Sequence, residues 1–360
     1  MKKRICFVDY DMSVRGGVEQ VTASLANALA DTYEVHIISL CMTGTLNYAL
    51  DERVNFIALL DSEDRLRTMH KAIKPLLHRY FKDHHIDVAM LQGNYAGLLA
   101  ADSRFGTKTK LVFCDHGALM NQWDRKDIVF IRWLSSRLCH KTVTLTEQSR
   151  NDYRKRFLLG ADRVLCIYNW IDLDIDRSSC YNTQSKRLLS AGRFGKEKGF
   201  DLLIRAFAPV AAAHPDWHLD LFGDGEMRPV VESLIAEYGL QDHVTLPGMC
   251  HDLAQRYREY AMYVLPSYRE GLPLVLLEAK ANRLPIVSFD VVTGPREIVR
   301  DGIDGVLVPP LDVETLSAAI CRLIENEEER CRMAHASQEN LEKFSKPAIL
   351  EQWQTLIESL

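Results

Sequence analysis

The stretch MYVLPSYREGLPLVLLEAKANRLPIVSFD, residues 262–290, decides the fold. A short apolar run (262–266) leads into a loop bearing Glu270 and Gly271. An apolar helix opens near Pro273, and a second apolar run follows at 285–289. Strand, helix and strand in about thirty residues make a βαβ unit, whose two strands are parallel. Neither run alternates polar with apolar residues, so both faces of each strand are expected to be covered by helices.

The same grammar extends in both directions. Before the decisive stretch, apolar β-branched runs stand at 5–10, 35–40, 54–58, 88–92, 110–114, 141–145 and 164–167, then at 187–190, 219–222 and 244–247; a last one follows at 306–308. Amphipathic segments separate them, which predicts an α/β fold of doubly wound parallel sheets. The pattern breaks once, at the polar stretch IDLDIDRSSCYNTQSKR (171–187), which reads as an interdomain linker. At 360 residues the chain exceeds the size at which one core usually stops growing. Two Rossmann-like domains are therefore expected, residues 1–175 and 176–345. The final segment, 346–360, carries Ile349, Leu350, Trp353, Leu356 and Ile357 at helical spacing and can pack back on the first domain or on the second.

Composition narrows the function. The chain is 47% hydrophobic and 26% charged, with no apolar run of the roughly 20 residues that a bilayer span needs. The basic N-terminus MKKRICFVDY has too short an apolar stretch for a signal peptide, and Asp9 and Asp11 follow at once, so it reads as a first strand. Nine scattered cysteines without a CxxC pair suggest buried thiols in a reducing compartment. A cytoplasmic protein is expected. Residues 1–175 carry a net charge of +3 and the remainder −8, which argues against a nucleic-acid partner.

Three groups of residues carry potential chemistry. In AGRFGKEKGFDLLI (191–204) a strand ends in a Gly-rich turn with Arg193, Lys196 and Lys198 before a helix, an arrangement suited to a diphosphate; an ordinary solvated loop would look similar. In 266–290, Glu270 and Glu278 flank GLPLVLL. A carboxylate in so apolar a helix needs a partner, and ribose or sugar hydroxyls would be suitable donors; an arginine or a capping role would also serve. The backbone N–H groups of Gly271, Leu272, Pro273's neighbours and Leu274 would face a phosphate, with Gly271 permitting close approach. The third group is FGDGE (222–226), TGPREI (293–298) and DGIDGVLVPP (301–310), each placing glycines at the carboxyl end of a strand, where open α/β sheets bind ligands.

In order and spacing, RFGKEKG, GDGE, EGLPLVLLEA, GPREI and DGVLVPP resemble the retaining glycosyltransferases of family 4, which have the GT-B fold of two Rossmann-like domains facing a central cleft. RGGVEQ (15–20), CDHG (114–117) and YNWID (168–172) extend the resemblance to the first half; Trp170 stands where the family usually has glycine. The resemblance implies that Arg193 and Lys198 hold the donor diphosphate and that Glu278 binds the ribose. Glu270 would contact the transferred sugar with the 271–274 backbone, including Pro273, and Gly223 would lie beside the donor. Met249 and Cys250 would begin the nucleobase pocket, the Gly16-Gly17 loop would approach the diphosphate, and His116 would sit over the sugar. Catalysis would fall to His116, Glu270, Arg193 and Lys198. It implies a metal-independent hexosyl- or N-acetylhexosaminyl-transferase with no cofactor beyond the nucleotide diphosphate sugar, UDP-linked by analogy. The acceptor would be a glycan or a lipid-linked molecule.

Two basic aromatic segments, 69–82 and 122–141, could rest on an anionic membrane at the inner face of the plasma membrane; alternatively their apolar faces pack on their own sheet. Rival readings are a nucleotide-sugar epimerase of the same architecture and a non-catalytic sugar-binding partner of another transferase. A dinucleotide-dependent dehydrogenase would need GxGxxG, which DMSVRGGVEQ lacks.

Overall fold

The computed structural model describes residues 2–171, 181–250 and 253–360, with the backbone alone at Ala254. Most of the 171–187 stretch read as a linker, together with Asp172 and Cys180, therefore lies outside the described residues. The chain forms two compact units. One comprises Met1–Asn169 with Pro347–Leu360, the other Trp170–Lys346.

The first unit is built on seven parallel strands: β1 (Arg4–Asp11), β2 (Glu34–Cys41), β3 (Asn55–Ala58), β4 (Val88–Gln92), β5 (Lys110–Asp115), β6 (Lys141–Thr144) and β7 (Val164–Cys166). Their order is β3-β2-β1-β4-β5-β6-β7. β1 pairs with β2 on one side and β4 on the other, so the direction of winding reverses between β1 and β4. Ile5, Cys6, Phe7 and Val8 are wholly inaccessible, as a strand covered on both faces requires. The helix Leu66–Asp83 seals one face with Met69, Ile73, Leu77 and Phe81. The closing helix, Lys346–Glu358, buries Ile349, Trp353, Leu356 and Ile357, and Lys3 Nζ donates to the Ile357 carbonyl at 2.8 Å.

The second unit has six parallel strands: β8 (Arg187–Ala191), β9 (His218–Phe222), β10 (Val244–Gly248), β11 (Met262–Leu265), β12 (Ile286–Phe289) and β13 (Gly305–Val308). Their order is β10-β9-β8-β11-β12-β13, with the reversal between β8 and β11. A core of Phe194, Phe200, Leu203, Phe207, Leu221, Val264, Phe289 and Ile320 joins sheet to helices. Each sheet thus offers, at its reversal point, the crevice outside the strand ends where open α/β sheets bind ligands.

Candidate functional site

In the second unit the loops after β8 and β11 interlock at that crevice. Gly199 adopts φ +65 at the start of the helix Phe200–Ala213, and a Cβ there would collide with the Pro266 carbonyl oxygen. The approach brings Lys198 Nζ to 2.8 Å from Glu270 Oε1, which also accepts from Ser267 Oγ at 2.6 Å. Glu270 is buried, and Thr293 Oγ1 donates to its carbonyl oxygen at 2.6 Å, tying the TGPREI turn to the same loop. Gly223, at φ +127 after β9, lies so close to the Gly192 carbonyl that a side chain would not fit. Arg193 points outward, 74% exposed, in an ion pair with Glu197 at 2.7 Å.

The helix Leu274–Ala281 starts beside Glu270. Pro273 occupies the position before its first turn and no side chain caps it. Its first N–H groups and partial positive charge suit an anion. Leu272 and Pro273 are buried; Gly271 and Leu274 are half-buried. Glu278 is one turn further on. Its neighbour is not an arginine: the phenol of Tyr257 donates to Oε2 at 2.7 Å. Burial raises the Glu278 carboxyl above its ordinary range, and the Tyr257 hydrogen bond works against that rise. After β10, Met249 is 68% exposed and Cys250 half-buried. Arg193, Lys198, Gly223 and Glu270 with the 271–274 turn thus lie on loops that follow strands of one sheet, with Glu278 in the helix that comes next; of these, Lys198 and Glu270 are in direct contact.

His116, Gly16 and Gly17 belong to the first unit. Gly16 precedes the helix Gly17–Leu29, and its carbonyl accepts from Tyr48 Oη at 2.8 Å; a Cβ on Gly17 would meet open space. His116 follows β5. Its Nε2 is 2.6 Å from Gln92 Oε1 at the end of β4, so the imidazole donates there and keeps Nδ1 as an acceptor. Burial lowers its pKa to about 4, against the opposing pull of Asp115. The turn is fixed from below: Asp115 pairs with Arg132 Nε at 3.0 Å and accepts from Tyr153 Oη at 2.7 Å and Gly117 N at 3.0 Å.

These contacts revise one expectation. In 69–82 the apolar stripe is spent on the unit's own core, and within 122–141 Arg132 turns inward, 1% exposed. Only Phe130 and Trp133, 56% and 39% exposed with rings 5.8 Å apart, give the helix Lys126–Leu138 an aromatic outer surface. Sequence reasoning also missed Gln92, Arg132, Tyr153 and Tyr257, which act across 17 to 38 residues of chain. Asp9 was readable only as part of a strand. Burial, followed by the charge of Glu19, raises its carboxyl to about 7, and Thr22 Oγ1 donates to it at 3.0 Å; an acid inside an apolar strand before a Gly-rich turn was the available signal. Among the described residues no helix is long and apolar enough to cross a membrane, and no group of three or more His, Cys, Asp or Glu is arranged to hold a metal ion.

Comparison with known proteins adds to this geometry. The family model "Glycosyltransferase Family 4" matches residues 15–175, and "Glycosyl transferases group 1" matches 174–340. An uncharacterized glycosyltransferase of Haemophilus influenzae is 27% identical over 99% of this chain and 100% of its own length. The amylovoran biosynthesis glycosyltransferase AmsD of Erwinia amylovora is 28% identical over the same shares. Among solved structures, HepE of Anabaena in complex with UDP and glucose superposes with a TM-score of 0.82 at 19% identity, covering the whole of both chains. With both halves matched in sequence and both sheets wound as the fold requires, the chain belongs to the family 4 glycosyltransferases of the GT-B fold.

Proposed function

We propose that the protein is a retaining glycosyltransferase that moves a hexose or N-acetylhexosamine from a UDP-linked donor to a glycan or lipid-linked acceptor in cell-surface polysaccharide synthesis. The observation that carries the reading is the Lys198–Glu270 pair just ahead of the uncapped start of the helix Leu274–Ala281, which carries Glu278, on the loops after the two strands that flank the reversal point of one sheet. The HepE complex with UDP and glucose supports the donor, and AmsD, named for amylovoran biosynthesis, supports the role in polysaccharide synthesis.

In this reading Glu278 accepts from the ribose hydroxyls, and Arg193, Lys198 and the helix start meet the charge that grows on the departing diphosphate, without a metal ion. An ammonium group has three donors, so Lys198 serves Glu270 and a phosphate oxygen together. Glu270 positions the sugar and is not a nucleophile; the acceptor hydroxyl attacks on the face the diphosphate leaves, and the phosphate takes its proton. Gly16 and Gly17 let the diphosphate come close to backbone, Gly223, Met249 and Cys250 line the nucleoside side, and the neutral His116 offers Nδ1 to a sugar hydroxyl. The aromatic surface of the helix Lys126–Leu138, with the cations of 69–82, holds the cytoplasmic enzyme at an anionic membrane face.

The test is calorimetric titration of UDP, GDP, ADP and their sugar conjugates into the wild-type protein, Glu278→Ala and Arg193→Ala. Binding of UDP forms alone, lost in both variants, is expected, followed by NMR of the product showing the donor's anomeric configuration preserved in the presence of EDTA. No nucleotide binding, or an inverted product, sinks the proposal.

A further inference from the structure

Tyr257 makes contacts that core packing does not require. Its ring is fully buried, and its phenol is spent on one carboxylate oxygen of Glu278, Oε2, at 2.7 Å. The same ring stacks on Tyr263 with centroids 6.0 Å apart and planes 13° from parallel. Tyr263 Oη in turn donates to the Ala191 carbonyl at 3.0 Å and accepts from the Ala191 N–H at 3.1 Å. Ala191 ends β8 and lies two residues before Arg193. Two tyrosines thus connect a carboxylate on the helix Leu274–Ala281 to the turn carrying Arg193 and Lys198.

From this geometry we infer that Tyr257 is a positioning residue for donor binding: it clamps Glu278 through Oε2 so that the other carboxylate oxygen is presented, in one orientation, to the hydroxyls of the nucleoside. The inference rests on the reading of Glu278 as the nucleoside-binding carboxylate. Being wholly buried, Tyr257 does not touch the ligand itself; it acts through Glu278. A glutamate side chain has freely turning bonds whose ordering costs entropy, and a clamp made before the ligand arrives removes that cost from binding. The phenol has a second effect. By donating to the charged form it holds Glu278 ionised against its burial. Among the described residues, the titratable groups that bear on Glu278 are the phenols of Tyr257 and Tyr263, with Glu270 bearing on Tyr263 from further off.

The experiment titrates UDP, GDP and ADP calorimetrically into four proteins between pH 6 and 8.5: wild type, Tyr257→Phe, Glu278→Gln and Tyr260→Phe. Tyr260 is the control, equally buried and donating to a different buried carboxylate, Asp220, at 2.7 Å. For the nucleotide the wild type binds, Tyr257→Phe is expected to weaken affinity about tenfold at pH 8. The loss should deepen on acidification, because without the phenol Glu278 takes up its proton at higher pH. Tyr260→Phe should lower the melting temperature with the affinity and its pH profile unchanged. If Tyr257→Phe does not fold, 3-fluorotyrosine at position 257, a stronger donor of the same shape, should move the acid limb of binding to lower pH. Wild-type affinity and pH profile in Tyr257→Phe, with binding lost in Glu278→Gln, overturns the positioning role alone. Undiminished binding in Glu278→Gln, or no binding of any nucleotide by the wild type, overturns the reading of the site and the inference with it.

Discussion

Replacing Arg132 by methionine tests how the turn that carries His116 is held. Arg132 and Asp115 are each 1% exposed, with Arg132 Nε and Nη2 at 3.0 and 3.1 Å from the two carboxylate oxygens. Methionine fills much of the space but leaves Asp115 as a buried charge with, among the described residues, Tyr153 Oη and Gly117 N as donors. Breaking one side of a buried pair costs about 3–5 kcal/mol, and the two surviving hydrogen bonds place this case near the lower end, about 3 kcal/mol. With a urea m-value of about 2 kcal/mol/M, the transition that includes this unit should move down by about 1.5 M. Adding Asp115→Asn removes the stranded charge, so the double variant should recover half or more of the loss. Urea unfolding at pH 7.5, followed by circular dichroism, measures all three proteins. A midpoint within about 0.3 M of wild type for Arg132→Met, or a double variant less stable than the single one, refutes the reasoning.

Asp9→Asn should change the pH dependence of stability. The folded carboxyl at about 7, raised from 3.8, holds a proton that the unfolded chain gives up, so wild-type stability falls as pH rises from about 4 to 7 and then levels. The variant lacks this loss and should gain roughly 2–4 kcal/mol on wild type between pH 4 and 8; parallel curves would contradict it. His116 has the opposite sign: its folded pKa is about 4 against 6.5 unfolded, so its contribution is complete above 6.5 and is lost as pH falls toward 4. NMR of labelled histidine should show a neutral ring at pH 6, and a midpoint near 6.5 would count against the half-buried, Gln92-held imidazole. Phe130→Ser with Trp133→Ser should reduce binding to phosphatidylglycerol vesicles at least about fivefold and leave nucleotide affinity intact; unchanged sedimentation with vesicles would remove the membrane reading.

The sheets were legible because parallel strands covered on both faces are written as unbroken apolar runs. Every such run, from 5–10 to 306–308, is a strand in the structure, displaced by at most a residue or two at its ends. The candidate site was legible where chemistry is local, as in Glu270 and Glu278 within one loop and helix, or Lys198 before a helix start. It was not legible where the partner comes from another element. Nothing around Tyr257 announces that its phenol meets a carboxylate 21 residues later, and the basic appearance of 122–141 concealed that Arg132 is an interior residue. Helical spacing likewise marked the apolar stripe of 69–82 without saying which surface would cover it, and the unit's own core does.

The interlocked loops after β8 and β11 have a consequence for how such a chain can change. A side chain at 199 would strike the Pro266 carbonyl, and Lys198 and Glu270 hold each other across the same two loops, so substitution at 198, 199 or 270 disturbs both loops. Met249, after β10 and two strands along the sheet from β8, is 68% exposed. Variation is therefore cheap at 249 and expensive at 198, 199 and 270. On the proposed assignment of the site, directed evolution toward a different nucleobase has most freedom at Met249, where libraries can be diversified while the interlocked loops are kept constant.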